Sequence, residues 1–127
     1  MFQAGVTRPL RARHALAGAS PEESVPHSHP YRVELICSSR TIDENGYSTD
    51  IAAMESALEH VLAAIDDVFL NDLPWFADRP PSLENLACYL AETLRSELSS
   101  RGAEPAEPLE LRIWENEFAW AGYREER

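Results

Sequence analysis

The chain has 127 residues, 44% of them hydrophobic and 26% charged, enough for one globular domain with a core of ordinary size. Its formal net charge of −11 argues against nucleic acids and anionic membranes as partners. No apolar run approaches membrane length, no secretory signal pattern opens the chain, and the two cysteines, Cys37 and Cys88, read as small buried hydrophobes rather than a disulfide, so the expected compartment is the cytoplasm.

Residues 10–16 alternate between apolar and polar and predict a strand with Arg11 and Arg13 on one side and His14 on the other. Residues 17–26, rich in Gly, Ser, Pro and Glu, read as a loop. Tyr31, Val33, Leu35 and Cys37 then alternate with Arg32, Glu34 and Ile36, the pattern of a half-buried strand. Its apolar face, traced backwards, passes through His29 and His27. Pro30 lacks a ladder donor but suits a strand start, and it biases His29 toward an extended backbone.

Asp43-Glu44-Asn45-Gly46 reads as a turn. Thr49 or Asp50 can cap a helix from about Ile51 to Asp67, with Ile51, Met54, Leu58, Val61, Leu62 and Ile65 as its apolar stripe. After a Pro-rich loop, Ser82 caps a second helix whose stripe is Leu83, Leu86, Ala87, Leu90, Leu94 and Leu98, and Gly102 ends it. Leu109, Leu111 and Ile113 predict a third strand, and residues 118–123 a fourth. The order strand-strand-helix-helix-strand-strand gives a single α+β domain over residues 1–127, with no internal repeat.

Two features carry chemistry. His27 and His29 stand two apart on one strand and project from the same face, and His14 ends a neighbouring strand. Three imidazoles with one position left open are the ligand set of a catalytic zinc rather than a structural one. Glu115 continues the in-facing series Leu109, Leu111, Ile113. A carboxylate at the end of an apolar face needs a partner, unless the strand has already ended and the group is solvated. Both readings of Glu115 stay open on pattern alone.

From about Leu10 to Arg124 the sequence resembles 6-pyruvoyltetrahydropterin synthase and its bacterial relative 6-carboxytetrahydropterin synthase. The matching pieces are Ala12-x-His14, His27-x-His29-x-Tyr31, Gly46 with Asp50, Ile65-Asp66 followed by Leu70-Asn71, Pro81-Ser82-Leu83-Glu84-Asn85, and Glu115 with Ala119 and Tyr123. The resemblance implies the tunnelling fold, in which an antiparallel sheet contributes to an oligomeric barrel with the helices outside. It also implies a homohexamer of two stacked trimers with active sites at subunit interfaces. It implies Zn2+ on His14, His27 and His29, and Glu115 as the carboxylate that binds the pterin's amino-pyrimidinone edge. The implied substrate is 7,8-dihydroneopterin triphosphate or a related pterin. The reaction would be a carbon–oxygen or carbon–carbon lyase step in tetrahydropterin or queuosine-precursor synthesis.

The sequence also departs from that family. The usual catalytic cysteine, four residues before the H-x-H pair, is replaced by Glu23, with Glu22 beside it. The usual Asp-His pair is Asp66-Asp67, and the middle glycine of the H-G-H motif is Ser28. A carboxylate is a weak base at neutral pH unless its pocket disfavours its charge. Glu23 is thus the candidate base, with Asp66 or Asp67 as its partner, only one of them facing the site because adjacent helical residues diverge by about 100°. The alternatives are a zinc- and pterin-binding homologue without the usual turnover, and a Glu-type variant that cleaves the side chain to 6-hydroxymethyl-7,8-dihydropterin.

Overall fold

The computed structural model describes residues 1–126. Its first two strands, β1 (Phe2–His14) and β2 (His27–Ser39), pair antiparallel along their whole length, from Phe2↔Ser39 to His14↔His27. β1 therefore begins eight residues before the start expected from alternation. Gly5 and Pro9 hide its pattern, and Pro9 is tolerated because β1 is the edge strand of the sheet. The expected loop between β1 and β2 contains one helical turn, α1 (Pro21–Ser24), which carries Glu23.

Strands β3 (Glu110–Trp114) and β4 (Trp120–Arg124) complete a four-stranded antiparallel sheet in the order β1-β2-β3-β4. The fourth strand starts two residues later than expected. The Asn116 side chain accepts from the N–H groups of Phe118 and Ala119, at 2.8 and 2.9 Å, and holds them in the turn.

Helices α2 (Ile51–Ala63) and α3 (Leu83–Ser100) pack on one face of the sheet, α2 over β1 and α3 over β3 and β4. Asp50 and Ser82 cap them, accepting from the N–H groups of Ala53 and Asn85. The core between the layers joins Val6, Leu10, Val33, Leu35, Leu111 and Ile113 of the sheet to Met54, Leu58, Leu62, Leu86, Leu90 and Leu94 of the helices. Ile51, expected in the stripe of α2, is exposed at the first helical position.

α2 also stops at Ala63, short of the expected Asp67. Residues 66–71 leave the helix because they are needed elsewhere, along the last residues of β1. The Asp67 N–H donates to the Arg11 carbonyl at 2.8 Å, and Asp67 takes a left-handed φ of 58° to do so. Phe69 forms a parallel bridge with Arg13. Among the described residues no helix is long and apolar enough to cross a membrane.

Candidate metal centre

The last rungs of the β1–β2 ladder build the site. His14 lies directly across from His27, and Ala12 across from His29. Residues opposed on a ladder share a face, and residues two apart share it as well. All three imidazoles therefore emerge on the core side of the sheet, with small Ala12 leaving room beside them. Their ring centroids are 4.5 Å (His14–His27), 4.7 Å (His27–His29) and 5.4 Å (His14–His29) apart. One ligating nitrogen from each ring falls within 4.8 Å of the others.

The ring orientations are fixed by backbone carbonyls. Nδ1 of His14 lies 2.8 Å from the Pro81 carbonyl, and Nδ1 of His27 lies 2.8 Å from the Val25 carbonyl. A carbonyl can only accept, so both Nδ1 atoms carry a proton, and in the neutral ring Nε2 is then the atom that presents a lone pair. Those two Nε2 atoms are buried and have no hydrogen-bond partner among the described residues. A buried acceptor without a partner is costly. Its occurrence twice within one cluster is what a cation would relieve, and the carbonyl-locked imidazole is the usual support of a metal ligand. The residues therefore fit a zinc ion, as three neutral nitrogen donors with room for a fourth ligand. Burial holds the His14 imidazole below its ordinary range, opposed in part by the Pro81 carbonyl. The neutral, ligating form is favoured as a result.

Tyr31, the next in-facing residue of β2, stacks on His29 with centroids 5.3 Å apart and ring planes 18° from parallel. Its hydroxyl is pushed well above the ordinary phenol range, first by burial and then by the fields of Glu115 and Glu23. The Glu23 carboxylate also acts on His14. Glu23, partly buried on α1, is thus in electrostatic reach of the cluster, and the chain there is anchored by the Leu16 N–H on the Glu23 carbonyl at 2.7 Å.

Glu115 follows the end of β3 and is exposed, its N–H bonded to the Ala119 carbonyl at 2.9 Å. Pairing stops at Trp114↔Trp120, so the in-facing series ends at Ile113 and the solvated reading describes Glu115 within one chain. Asp66 accepts from the Arg11 N–H at 2.9 Å, and Asp67 is exposed with its carboxylate unbonded among the described residues. Arg11 and Arg13 are exposed on the opposite face of the sheet from the histidines, as alternation requires. Cys37 is buried at the far end of β2, where burial pushes its thiol up to about 12, and Cys88 is partly buried on α3. Neither approaches the histidines along the chain. Sequence reasoning placed Tyr31 on the same face as His27 and His29 but gave it no role, and it missed the Pro81 and Val25 carbonyls, because a backbone carbonyl leaves no residue-type signal.

The fold has close counterparts among solved structures. Caenorhabditis elegans 6-pyruvoyl tetrahydropterin synthase superposes with a TM-score of 0.78 at 21% identity, covering 98% of this chain and 96% of that one. Plasmodium falciparum 6-pyruvoyl tetrahydropterin synthase gives 0.74 at 16% identity, covering 98% and 99%. A Plasmodium vivax 6-pyruvoyltetrahydropterin synthase gives 0.73 at 17% identity with both chains fully covered, and is described as a catalytic-residue mutant in which glutamate is replaced by cysteine. No curated protein matches the sequence significantly. The sequence itself matches the 6-pyruvoyl tetrahydropterin synthase family over residues 5–126. A match over nearly the whole length, on a four-stranded sheet backed by two long helices, makes this chain a member of the 6-pyruvoyl tetrahydropterin synthase family.

Proposed function

We propose that the protein is a zinc-dependent lyase acting on 7,8-dihydroneopterin triphosphate or a closely related pterin, with Glu23 in place of the family's usual catalytic cysteine. The observation that carries this reading is the pair of buried, unpartnered Nε2 atoms on His14 and His27, converging with His29 within the field of the Glu23 carboxylate. Zinc held there would act as a Lewis acid on the hydroxyls of the pterin side chain.

The chain's own groups divide the remaining work. Glu23 takes the proton from the side-chain carbon or hydroxyl that is brought to the histidine cluster. Asp67 is the better second proton-transfer group of the adjacent pair, because the Asp66 carboxylate is engaged by the Arg11 main chain. Glu115 binds the pterin ring, where two parallel N–H groups suit a bidentate carboxylate. Its exposure in a single chain fits a pocket completed by a neighbouring subunit, and we read the working unit as a cytoplasmic homohexamer of two trimers. The catalytic glutamate described for the Plasmodium vivax protein supports Glu23 as a base and favours the branch that yields 6-hydroxymethyl-7,8-dihydropterin.

Incubation of zinc-loaded protein with 7,8-dihydroneopterin triphosphate, followed by mass spectrometry, tests this. The expected result is a hydroxymethyl-, pyruvoyl- or carboxy-pterin product that Glu23→Gln lowers by roughly 100-fold or more, the usual scale of a positioned base. Tight pterin binding without product would overturn the lyase reading and leave a binding protein. Turnover unchanged in Glu23→Gln would remove Glu23 from the mechanism.

A further inference from the structure

The segment between α2 and α3 does more than connect them. Residues 66–71 run alongside residues 11–15 and bond to every second one. Arg11 is held by Asp66 and Asp67, with the Arg11 N–H on the Asp66 carboxylate at 2.9 Å and the Asp67 N–H on the Arg11 carbonyl at 2.8 Å. Arg13 is bridged by Phe69. The run ends on a two-bond clamp: the Ala15 N–H donates to the Asn71 side-chain oxygen at 2.9 Å, and the Asn71 amide donates back to the Ala15 carbonyl at 3.0 Å. Ala15 is the residue after His14, and β1 ends at His14. Without Asn71 both polar groups of the Ala15 backbone would lose their partner.

The same loop system grips the His14 ring from the other side. Nδ1 is held by the Pro81 carbonyl. Pro81 is itself fixed between the Asn85 amide on the Pro80 carbonyl, at 2.8 Å, and the Ser82 cap of α3. Ala15, Asn71, Pro80 and Pro81 line one cavity of about 370 Å³. The main chain of His14 and its ring are thus fastened at two points of one wall.

We propose that Asn71 is a positioning residue of the metal centre: by clamping Ala15 it holds His14 where the Pro81 carbonyl fixes its tautomer and Nε2 meets the nitrogens of His27 and His29. This rests on the zinc reading above. It follows from the carboxamide's chemistry, a donor and an acceptor side by side on one planar group, which lets Asn71 pair both backbone groups of one residue. Ligand sites tolerate little looseness in such supports, and loss of one costs roughly 10- to 100-fold in metal affinity.

The test uses the full chain. Zinc affinity is measured by competition with a chromogenic chelator for wild type, Asn71→Ala and Asn71→Gln, the last keeping the amide but shifting it by one methylene. Cys37→Ala, a core change at the far end of β2, controls for general loosening. The expected result is a loss of about 10-fold or more in both Asn71 variants and none in Cys37→Ala. A second readout needs no metal. The 15N resonances of the His14 ring should report one tautomer, protonated at Nδ1, in metal-free wild type, and a mixture in the Asn71 variants. Unchanged zinc affinity with an unchanged tautomer would overturn the proposal and leave Asn71 a loop-stabilising residue. Wild type that binds no zinc, with the tautomer still shifted in Asn71→Gln, would overturn the zinc reading alone and keep Asn71 as the residue that orients His14.

Discussion

The two hairpins of the sheet end in opposite ways. At the end of β1–β2, rungs persist to the last pair, His14↔His27, so the inward side of each strand stays inward and delivers three imidazoles to one point. At the end of β3–β4, pairing stops at Trp114↔Trp120, and Glu115 enters a turn and faces solvent. The same in-facing alternation leads into both. A period of two fixes a side chain's face only as far as ladder pairing continues. The first end is a cluster of three imidazoles that could hold a metal ion, with the His14 and His27 rings on the Pro81 and Val25 carbonyls and the neighbouring Ala15 on Asn71. The second is an exposed acid on a short turn.

The largest expected effects separate these two ends. His29→Ala should abolish stoichiometric zinc binding, whereas Glu115→Gln should keep the full zinc content and weaken pterin binding roughly 10- to 100-fold, the value of a charge-assisted hydrogen bond. Elemental analysis and a fluorescence titration read the two separately. Zinc lost from Glu115→Gln would break the comparison.

Next comes the rigidity of the second hairpin. Gly122 sits opposite Arg112, and a Cβ there would lie 2.2 Å from the Leu111 carbonyl oxygen, so the strands must move apart. Gly122→Ala should cost about 1–3 kcal/mol in urea unfolding, the range for overpacking. Its zinc affinity should be unchanged, because β4 makes no rung with β1 or β2.

The smallest effect is a slope with pH. His14 is held below its ordinary range by burial. Above about pH 6.5 neither the folded nor the unfolded chain carries this proton. As pH falls below that value, the unfolded chain takes up a proton that folded His14 resists. Metal-free protein should therefore lose stability on acidification, by at most ~1.4 kcal/mol per pH unit for one proton. His14→Gln should flatten that slope, and an unaltered slope would place the titrating group elsewhere.

Much of this was legible in the sequence because it depends on residue type at fixed spacing. His27-x-His29 on an alternating strand, Ser82 before the Leu stripe of α3, and the order of the elements all translate directly into structure. Most of what escaped depends on partners distant in the chain. β1 is long because β2 pairs with all of it, over Gly5 and Pro9. α2 is short because β1 draws Asp66 and Asp67 out of helical geometry. The carbonyls of Pro81 and Val25, which set the tautomers of His14 and His27, have no signature in residue identity.

The most direct measurement is a crystal structure of zinc-loaded protein with anomalous diffraction at the zinc edge. The account predicts one peak per chain, about 2.0–2.1 Å from Nε2 of His14, Nε2 of His27 and one ring nitrogen of His29, with a fourth position open to water or substrate. No peak at the three histidines, or zinc held by other residues, would contradict it.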